Sequence, residues 1–303
     1  MKELTDFQRK VAEFCPNIRL QNNEPMAKHT TFRIGGPADT VVYPENRQTV
    51  SDLIVFCKDQ KIPLTVLGKG SNVLVSDEGI RGVVAILDAR FGKIHLEDET
   101  TVRCEAGASM AAVGAFAEKN GLTGFEFGAG IPGTVGGALY MNAGAYGGEM
   151  KDVVLSAEYL DADGVFHTVR KEDMKLGYRT SIFADRFCCI TEVTLQLKKG
   201  DPAVIHQTMA ELMQKRISKQ PLNFPSAGST FKRPEGNFAG ALIEQSGLKG
   251  TRVGDAQVSE KHAGFIINRG NATSEEVRAL IFAVQQKVFK DSGILLECEV
   301  KML

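Results

Sequence analysis

The chain has 303 residues, of which 43% are hydrophobic and 24% charged, and its formal net charge is −1. This composition excludes a disordered or fibrous protein, and the absence of a basic excess argues against nucleic acid as a partner. No stretch approaches the roughly 18 apolar residues of a membrane span, and the start lacks a signal peptide's apolar core, so we expect a cytoplasmic protein of about two domains without membrane contact.

Short elements dominate the first two thirds of the sequence. Helices are predicted at 48–60 and from Ser109, a suitable N-cap, to about Asn120, where Gly121 stops the pattern. Short apolar runs bounded by turn residues predict strands at 38–43, 64–67, 72–76, 82–87, 153–161, 165–170 and 188–198, with a hairpin over 93–106. The pair Asp163–Gly164 is typical of the hairpin turn between two of these strands.

The pattern changes near residues 198–205. Asp201–Pro202, a capping residue followed by a first-turn proline, predicts a helix to about Lys219. Further helices are predicted at 238–246 and 274–290, and strands near 264–268 and 294–300. The sequence therefore favours an α+β fold with an N-terminal segment (1–30), a first domain (31–197) and a smaller C-terminal α/β domain (198–303).

The six cysteines form no CxxC pair, so we expect no metal site and interpret them as buried free thiols of a reducing compartment. They are Cys15, Cys57, Cys104, Cys188, Cys189 and Cys298.

A glycine-rich segment runs from Gly128 to Gly148 and contains GAGIPG at 128–133, a literal GxGxxG. A Rossmann site would need a continuous apolar strand before it, but LTGFEF at 122–127 is short and contains a glycine and a glutamate. The alternative is a helix that begins near 132–134, with Pro132 in its first turn, and presents free N–H groups to an anion. A glycine-rich packing turn remains possible on spacing alone.

A second loop, GKGSN at 68–72, lies between two predicted strands and is not a Walker A motif. Two such loops suit a ligand with two phosphates and a long body.

Six sequence motifs together carry a resemblance to a known family. They are HTTFRIGGPAD (29–39), GKGSNVLVSD (68–77), AGIPGTVGGALYMNAGAYG (129–147), YRTSIF (178–183), AGSTFKRP (227–234) and ECEV (297–300). In this order they resemble the UDP-N-acetylenolpyruvoylglucosamine reductases, over nearly the whole chain.

The resemblance implies an FAD-binding region of the PCMH type, similar to vanillyl-alcohol oxidase, followed by a substrate-binding domain. It implies non-covalent FAD, NADPH as co-substrate, and reduction of the enolpyruvyl group of a UDP-sugar in peptidoglycan precursor synthesis. The cofactor contacts it implies are Gly68, Lys69, Gly70, Ser71, Asn72, Gly130, Ile131, Gly133, Thr134, Gly136, Gly137 and Asn142.

The resemblance also implies three catalytic residues. Arg179 would stabilise the developing enolate, Ser229 would donate a proton, and Glu299 would assist near the substrate carboxylate. Without the resemblance, these three would be a surface ion-pair residue, a turn serine and a solvent-facing strand residue. Tyr178, Arg216 and Lys219 are the implied substrate contacts, although the two cations would also suit a helix C-terminus.

The chain departs from the family pattern in two places. Arg233 follows Lys232 where many members have asparagine, and only five residues separate Phe183 from the strand near Cys189, so the chain is similar to the branch without a tyrosine-loop insertion. Two other functions remain open, an FAD-dependent oxidase of the same fold and a non-catalytic flavin- or nucleotide-binding module. No histidine lies in either glycine loop, which argues against a histidine-linked flavin.

Overall fold

The computed structural model describes residues 5–14, 16 and 18–303, so Cys15, one of the predicted thiols, lies outside the described residues. The α-helices found there are α1 (Asp6–Phe14), α2 (Arg47–Asp59), α3 (Met110–Lys119), α4 (Val135–Tyr140), α5 (Met150–Val153), α6 (Pro202–Lys219), α7 (Ala239–Gln245) and α8 (Ser274–Ser292). The strands are β1 (Arg19–Pro25), β2 (Pro37–Tyr43), β3 (Leu64–Leu67), β4 (Val73–Leu74), β5 (Ile80–Ile86), β6 (Ile94–Leu96), β7 (Thr101–Glu105), β8 (Leu122–Thr123), β9 (Gly144–Ala145), β10 (Gly148–Glu149), β11 (Val154–Leu160), β12 (Phe166–Arg170), β13 (Cys189–Gln196), β14 (Lys198–Lys199), β15 (Arg252–Val253), β16 (Ala256–Val258), β17 (Ile266–Asn268) and β18 (Lys301–Met302).

The chain forms two compact units, each assembled from separated stretches of sequence. The first contains the described residues up to Asn22 together with Thr40–Lys69 and Gly82–Lys215, and the second contains Asn23–Asp39, Gly70–Arg81 and Arg216–Leu303. Both units are discontinuous, whereas the domains predicted at 1–30, 31–197 and 198–303 are continuous, and that division stays a prediction.

The largest sheet of the first unit is a five-stranded antiparallel sheet in the order β12-β11-β13-β7-β6. It contains both predicted hairpins, β6–β7 and β11–β12, and the second turns at Gly164 with a φ of +73°. A second sheet, in the order β1-β2-β5-β3, pairs β3 and β5 in parallel. Most side chains of the central strands β5 and β13 are buried, which places the unit's hydrophobic core along the sheets.

Two helices of the first unit begin and end as the sequence predicts. The Asn46 side chain caps α2 by accepting a hydrogen bond from the Thr49 N–H, and the Ser109 hydroxyl caps α3 in the same way through the Ala112 N–H. The predicted apolar face of α2 is buried, which holds the helix on the core through Val50, Leu53, Ile54 and Cys57. Gly121 follows α3 with a φ of +64°, a conformation that glycine adopts without a steric penalty.

The second unit combines the antiparallel sheet β15-β16-β17 with α7 and α8, which confirms the predicted helices at 238–246 and 274–290. A capping box starts α8, because the Thr273 hydroxyl accepts from the Glu276 N–H while the Glu276 carboxylate accepts from the Thr273 N–H. Gly293, with a φ of +70°, ends it. The buried face of α8 supplies much of the core through Val277, Leu280, Ile281, Val284 and Val288.

The predicted strand at 294–300 is wrong, because this segment changes its hydrogen-bonding partner along its length. It meets the chain at Phe231 through a single antiparallel bridge from Cys298, and then pairs with β4 only from Lys301 onwards. Neither partner extends far enough for a continuous ladder, so the regular part is β18 alone. The strand predicted at 72–76 is also shorter than expected, because only Val73 and Leu74 pair with β18.

The five described cysteines are free thiols, as predicted, of which Cys57, Cys104 and Cys189 are buried and Cys188 and Cys298 are half-buried. Burial raises the pKa of the Cys104 and Cys189 thiols to about 12 and that of the half-buried Cys188 thiol to about 11. These side chains are therefore protonated and unreactive at neutral pH.

The capping box of α8 gives a stability prediction. Thr273→Ala removes the hydroxyl that accepts the Glu276 N–H, and we expect it to lower the free energy of unfolding by about 1 kcal/mol. Thr208→Ala is the matched control, since the Thr208 hydroxyl bonds only to the preceding turn of α6 at Val204 O and caps no helix end. Thermal unfolding measures both, and equal shifts in Tm for the two variants would contradict the capping role.

Candidate active site

The helix of the glycine-rich segment starts within a residue of the predicted range, 132–134. Thr134 is the N-cap of α4, with its hydroxyl accepting from the Gly137 N–H at 3.4 Å, so Pro132 lies outside the helix. The Val135 and Gly136 N–H groups donate to Ala108 O at 2.8 Å and Ala106 O at 3.0 Å. The predicted helix start near 132–134 is therefore correct to within a residue, whereas the N–H groups expected to be free there are already paired within the protein.

The Rossmann interpretation fails, as expected. The strand before GAGIPG, β8, has only two residues, and α4 has only six. The packing alternative explains two of the glycines, because a methyl group at Gly128 would lie 2.8 Å from the Phe125 ring and one at Gly136 would lie 2.7 Å from Ala106 Cβ. Gly137 is different, since it is exposed and a methyl group there would meet nothing closer than 3.5 Å.

The first glycine of the GKGSN loop and the start of α4 lie together in the first unit. A methyl group on Gly68 would lie 2.3 Å from Thr134 Oγ1, so only glycine permits this approach. Thr134 is 3% exposed. The structure therefore brings the two loops predicted to hold one phosphate-bearing ligand into contact at Gly68 and Thr134.

The last three residues of the GKGSN loop, 70–72, belong to the second unit. Gly70 has a φ of +57°, and its carbonyl accepts a hydrogen bond from the Thr31 N–H at 3.1 Å. Asn72 donates from Nδ2 to the Glu299 carbonyl at 3.2 Å, and its own carbonyl accepts from the Lys301 N–H at 3.0 Å. Asn72 is thus hydrogen-bonded to the segment that contains the predicted catalytic glutamate.

Ser229 and Glu299 are neighbours across a short antiparallel pairing in the second unit. The Glu299 N–H donates to Thr230 O at 2.8 Å, next to Ser229 in the chain. Glu299 is only 8% exposed, whereas the Glu297 side chain is 71% exposed and forms an ion pair with Lys232. The solvent-facing alternative therefore fits Glu297 and does not fit Glu299.

Arg179 lies in the first unit, at the tip of a two-residue turn. The turn is closed by a hydrogen bond from the Gly177 N–H to Thr180 O at 3.1 Å, and Arg179 has a φ of +56°. Its guanidinium lies 5.4 Å from the centre of the Tyr178 ring, and Tyr178 is 52% exposed. The two residues predicted to meet the substrate in the YRTSIF motif thus share one turn, in which Tyr178 is exposed and Arg179 is half-buried.

Asn142 was predicted to contact the cofactor, but its amide has partners within the first unit. Its Nδ2 donates to Glu149 Oε2 at 2.6 Å and to Gly177 O at 2.9 Å, and its Oδ1 accepts from the Lys151 N–H at 2.9 Å. Sequence reasoning did not identify these partners, because nothing in the spacing links residues 142 and 177.

The two predicted phosphate-binding cations of α6 differ in burial. Arg216 is 9% exposed and Lys219 is exposed, so the solvated helix-terminus interpretation suits only Lys219. A further cation was missed, since the Lys261 ammonium donates to Ile217 O at 2.5 Å and so binds the C-terminal end of the helix.

No group of metal-ligating side chains is found among the described residues, and no helix of that part of the chain is both long and apolar enough to cross a membrane.

Two protein-family models match the chain. An FAD binding domain matches residues 38–170, and the C-terminal domain of UDP-N-acetylenolpyruvoylglucosamine reductase matches residues 220–303. The UDP-N-acetylenolpyruvoylglucosamine reductase of Agathobacter rectalis is 47% identical, with 98% of each chain covered. The chain belongs to this reductase family.

Further relatives agree with this assignment. The reductase of the same name from Caldanaerobacter subterraneus is 47% identical over 97% of each chain. The crystal structure of UDP-N-acetylenolpyruvylglucosamine reductase from Thermus caldophilus superimposes with a TM-score of 0.80 at 35% identity, covering 94% of this chain and 99% of that one. The family predicted from the six motifs is confirmed, and so is the α+β fold with an FAD-binding region and a smaller C-terminal domain.

Gly137 allows a direct test of the cofactor site. Gly137→Ala should leave the apoprotein at least as stable, because the added methyl group meets no protein atom closer than 3.5 Å and alanine favours a helix over glycine. If Gly137 faces the cofactor, FAD affinity should fall about tenfold or more, as measured by flavin fluorescence titration. Unchanged FAD affinity would remove Gly137 from the site, and thermal unfolding of the apoprotein serves as the control.

Proposed function

We propose that this chain reduces the enolpyruvyl group of UDP-N-acetylglucosamine enolpyruvate to give UDP-N-acetylmuramate, with NADPH as electron donor and bound FAD as mediator. The observation that carries the proposal is the 47% identity to a reductase of this name over 98% of both chains. The reaction makes a peptidoglycan precursor, and we propose that it takes place in the cytoplasm, where NADPH is available.

The residues of the two glycine loops fit a flavin dinucleotide. Gly68 approaches Thr134 as only glycine can, and Gly137 leaves open space beside it, which suits close approach of a pyrophosphate to backbone. We propose that FAD is held there, with the loop before α4, 130–134, and the start of the GKGSN loop, 68–69, as its phosphate contacts. When bound, FAD supplies two-electron chemistry, accepting hydride from NADPH and delivering it to the methylene carbon of the enol ether.

Arg179 is the proposed stabiliser of negative charge on the substrate. Hydride addition to the methylene carbon moves electron density onto the adjacent carbon and its carboxylate. A guanidinium can donate two parallel hydrogen bonds to that carboxylate, and these strengthen as charge develops. Arg179 is half-buried beside the exposed Tyr178, a position that suits a side chain that meets a ligand rather than the core.

Ser229 is the proposed proton donor to the α-carbon, with Glu299 beside it. A serine hydroxyl is a weak acid, so it needs a partner that stabilises its deprotonated form. Glu299 is buried on the segment that pairs with Thr230, where a carboxyl group can assist the same step. Buried Arg216 and exposed Lys219 are the proposed contacts of the substrate phosphates.

The proposed function predicts a two-step change in flavin colour. Under anaerobic conditions NADPH should bleach the flavin absorbance near 450 nm, as expected for any flavin that accepts hydride. Addition of a stoichiometric amount of UDP-N-acetylglucosamine enolpyruvate should then restore the absorbance. Bleaching that only oxygen reverses would favour the oxidase alternative, and a protein that binds FAD without bleaching would favour the non-catalytic module.

Ser229→Ala should separate the two steps. Bleaching by NADPH should be unchanged, whereas recovery with the UDP-sugar should slow by a factor on the order of 10² to 10⁴, because the proton donor is lost. Ser226→Ala is the matched control, since the contacts of Ser226 with Thr31 and Ile267 run through its backbone. Recovery at the wild-type rate in the Ser229 variant would exclude it as the donor.

A further inference from the structure

The turn that presents Arg179 has an unfavourable backbone conformation. Arg179 is not glycine and yet has a φ of +56°, in the left-handed region that branched or long side chains rarely occupy. Such a residue keeps this conformation only when its surroundings hold it there. The question is therefore which contacts fix the turn.

One anchor is the buried amide of Asn142. It is 1% exposed and donates to Gly177 O at 2.9 Å, at the first residue of the turn. The amide is itself fixed by Glu149 Oε2 and the Lys151 N–H, and Lys151 also forms an ion pair with Glu149. Because the three hydrogen bonds of the Asn142 amide are all made to protein groups, the amide has one defined orientation.

A second anchor lies at the other end of the turn. Ser181 Oγ donates to Tyr140 O at 2.5 Å and accepts from the Phe183 N–H at 3.3 Å. Tyr140 is the last residue of α4, and Asn142 follows that helix by two residues. Both anchors therefore run from the C-terminal end of α4 to the turn between Gly177 and Thr180.

The same helix begins at the glycine loops. Its N-cap, Thr134, is the group that Gly68 approaches, and α4 spans only six residues, or about 9 Å at 1.5 Å per residue. A short helix with hydrogen bonds at both ends is a rigid spacer. All of these residues belong to the first unit.

We propose that Asn142 is a positioning residue for Arg179, fixing the guanidinium relative to the cofactor loops through α4. This rests on the proposed role of Arg179 in the reductase reaction. It assigns the Asn142 side chain to the protein scaffold rather than to the cofactor. Ser181 has the same function from the opposite side of the turn.

Asn142→Asp tests this with little change in shape. Aspartate also tolerates a positive φ, but it removes both amide donations and places a carboxylate against Glu149 and the Gly177 carbonyl. NADPH should bleach the flavin within about twofold of the wild-type rate, whereas recovery with the UDP-sugar should slow on the order of 10- to 100-fold, since small misplacement of a catalytic group is costly. Equal slowing of both steps, or of neither, would overturn the proposal.

Asn120→Asp is the matched control. Asn120 follows α3 in the same unit, and its Nδ2 also donates to a backbone carbonyl, that of Phe116, at 2.8 Å. Both steps should stay within about twofold of wild type. If this variant slows recovery as Asn142→Asp does, the effect is a general loss of structure and the positioning role is wrong.

A double-mutant cycle separates this inference from the proposed function. Arg179→Ala alone should slow recovery, and adding Asn142→Asp to it should cost less than about twofold more, because the group being positioned is already absent. Full additivity would overturn the positioning role alone. If Arg179→Ala leaves recovery unchanged, the proposed role of Arg179 fails, and the positioning role fails with it.

Hydrogen exchange supplies a readout that does not depend on turnover. In Asn142→Asp the amide hydrogens of Thr180 and Ile182 should exchange at least about tenfold faster, with no change in β13, since only the turn is released. If Asn142→Asp does not fold, Ser181→Ala removes the other anchor and should give the same acceleration and the same selective slowing of recovery. Unchanged exchange at the turn in a folded variant would refute the proposal.

Discussion

The approach of Gly68 to Thr134 is the contact on which the arrangement of the first unit's site depends. A side chain at residue 68 would collide with the hydroxyl that caps α4, so the two loops can meet only because that position is glycine. The cap determines where α4 starts, and the six-residue helix determines where its C-terminal carbonyls and Asn142 lie. From there two hydrogen bonds reach the turn that presents Arg179. One close approach thus governs both the two glycine loops that are proposed to hold FAD and the position of a proposed catalytic cation.

Local sequence signals predicted the elements that local interactions determine. The capped helices α2, α3, α6 and α8 lie within two residues of their expected bounds, because side-chain caps, apolar faces and stop residues act over a few positions. The two hairpins of the five-stranded sheet were also predictable, since their turns join neighbouring strands.

The two errors both arise from distant hydrogen-bonding partners. The start of α4 lies within a residue of the predicted 132–134, but the N–H groups expected to be free there are paired, because those of Val135 and Gly136 donate to Ala108 and Ala106. The segment 294–300 has strand-like residues, yet it is divided between Phe231 and β4 as partners. Neither choice can be deduced from spacing. The family motifs identified the reaction and the candidate residues, while the burial that distinguishes Glu299 from Glu297 required the fold.

The discontinuous second unit also constrains how the chain acquires its structure. Its stabilising contacts join residues far apart in sequence: Thr31 with Ser226 is separated by 195 positions, Asp77 with Ser274 by 197, and Asn72 with Glu299 by 227. During synthesis the early stretches of this unit cannot form these contacts until almost the whole chain has left the ribosome. Contacts of such high sequence separation slow folding, because the entropy of closing long loops is lost before the contacts form. Cutting the gene between the two family-model matches would therefore divide the second unit instead of releasing two independently folding halves.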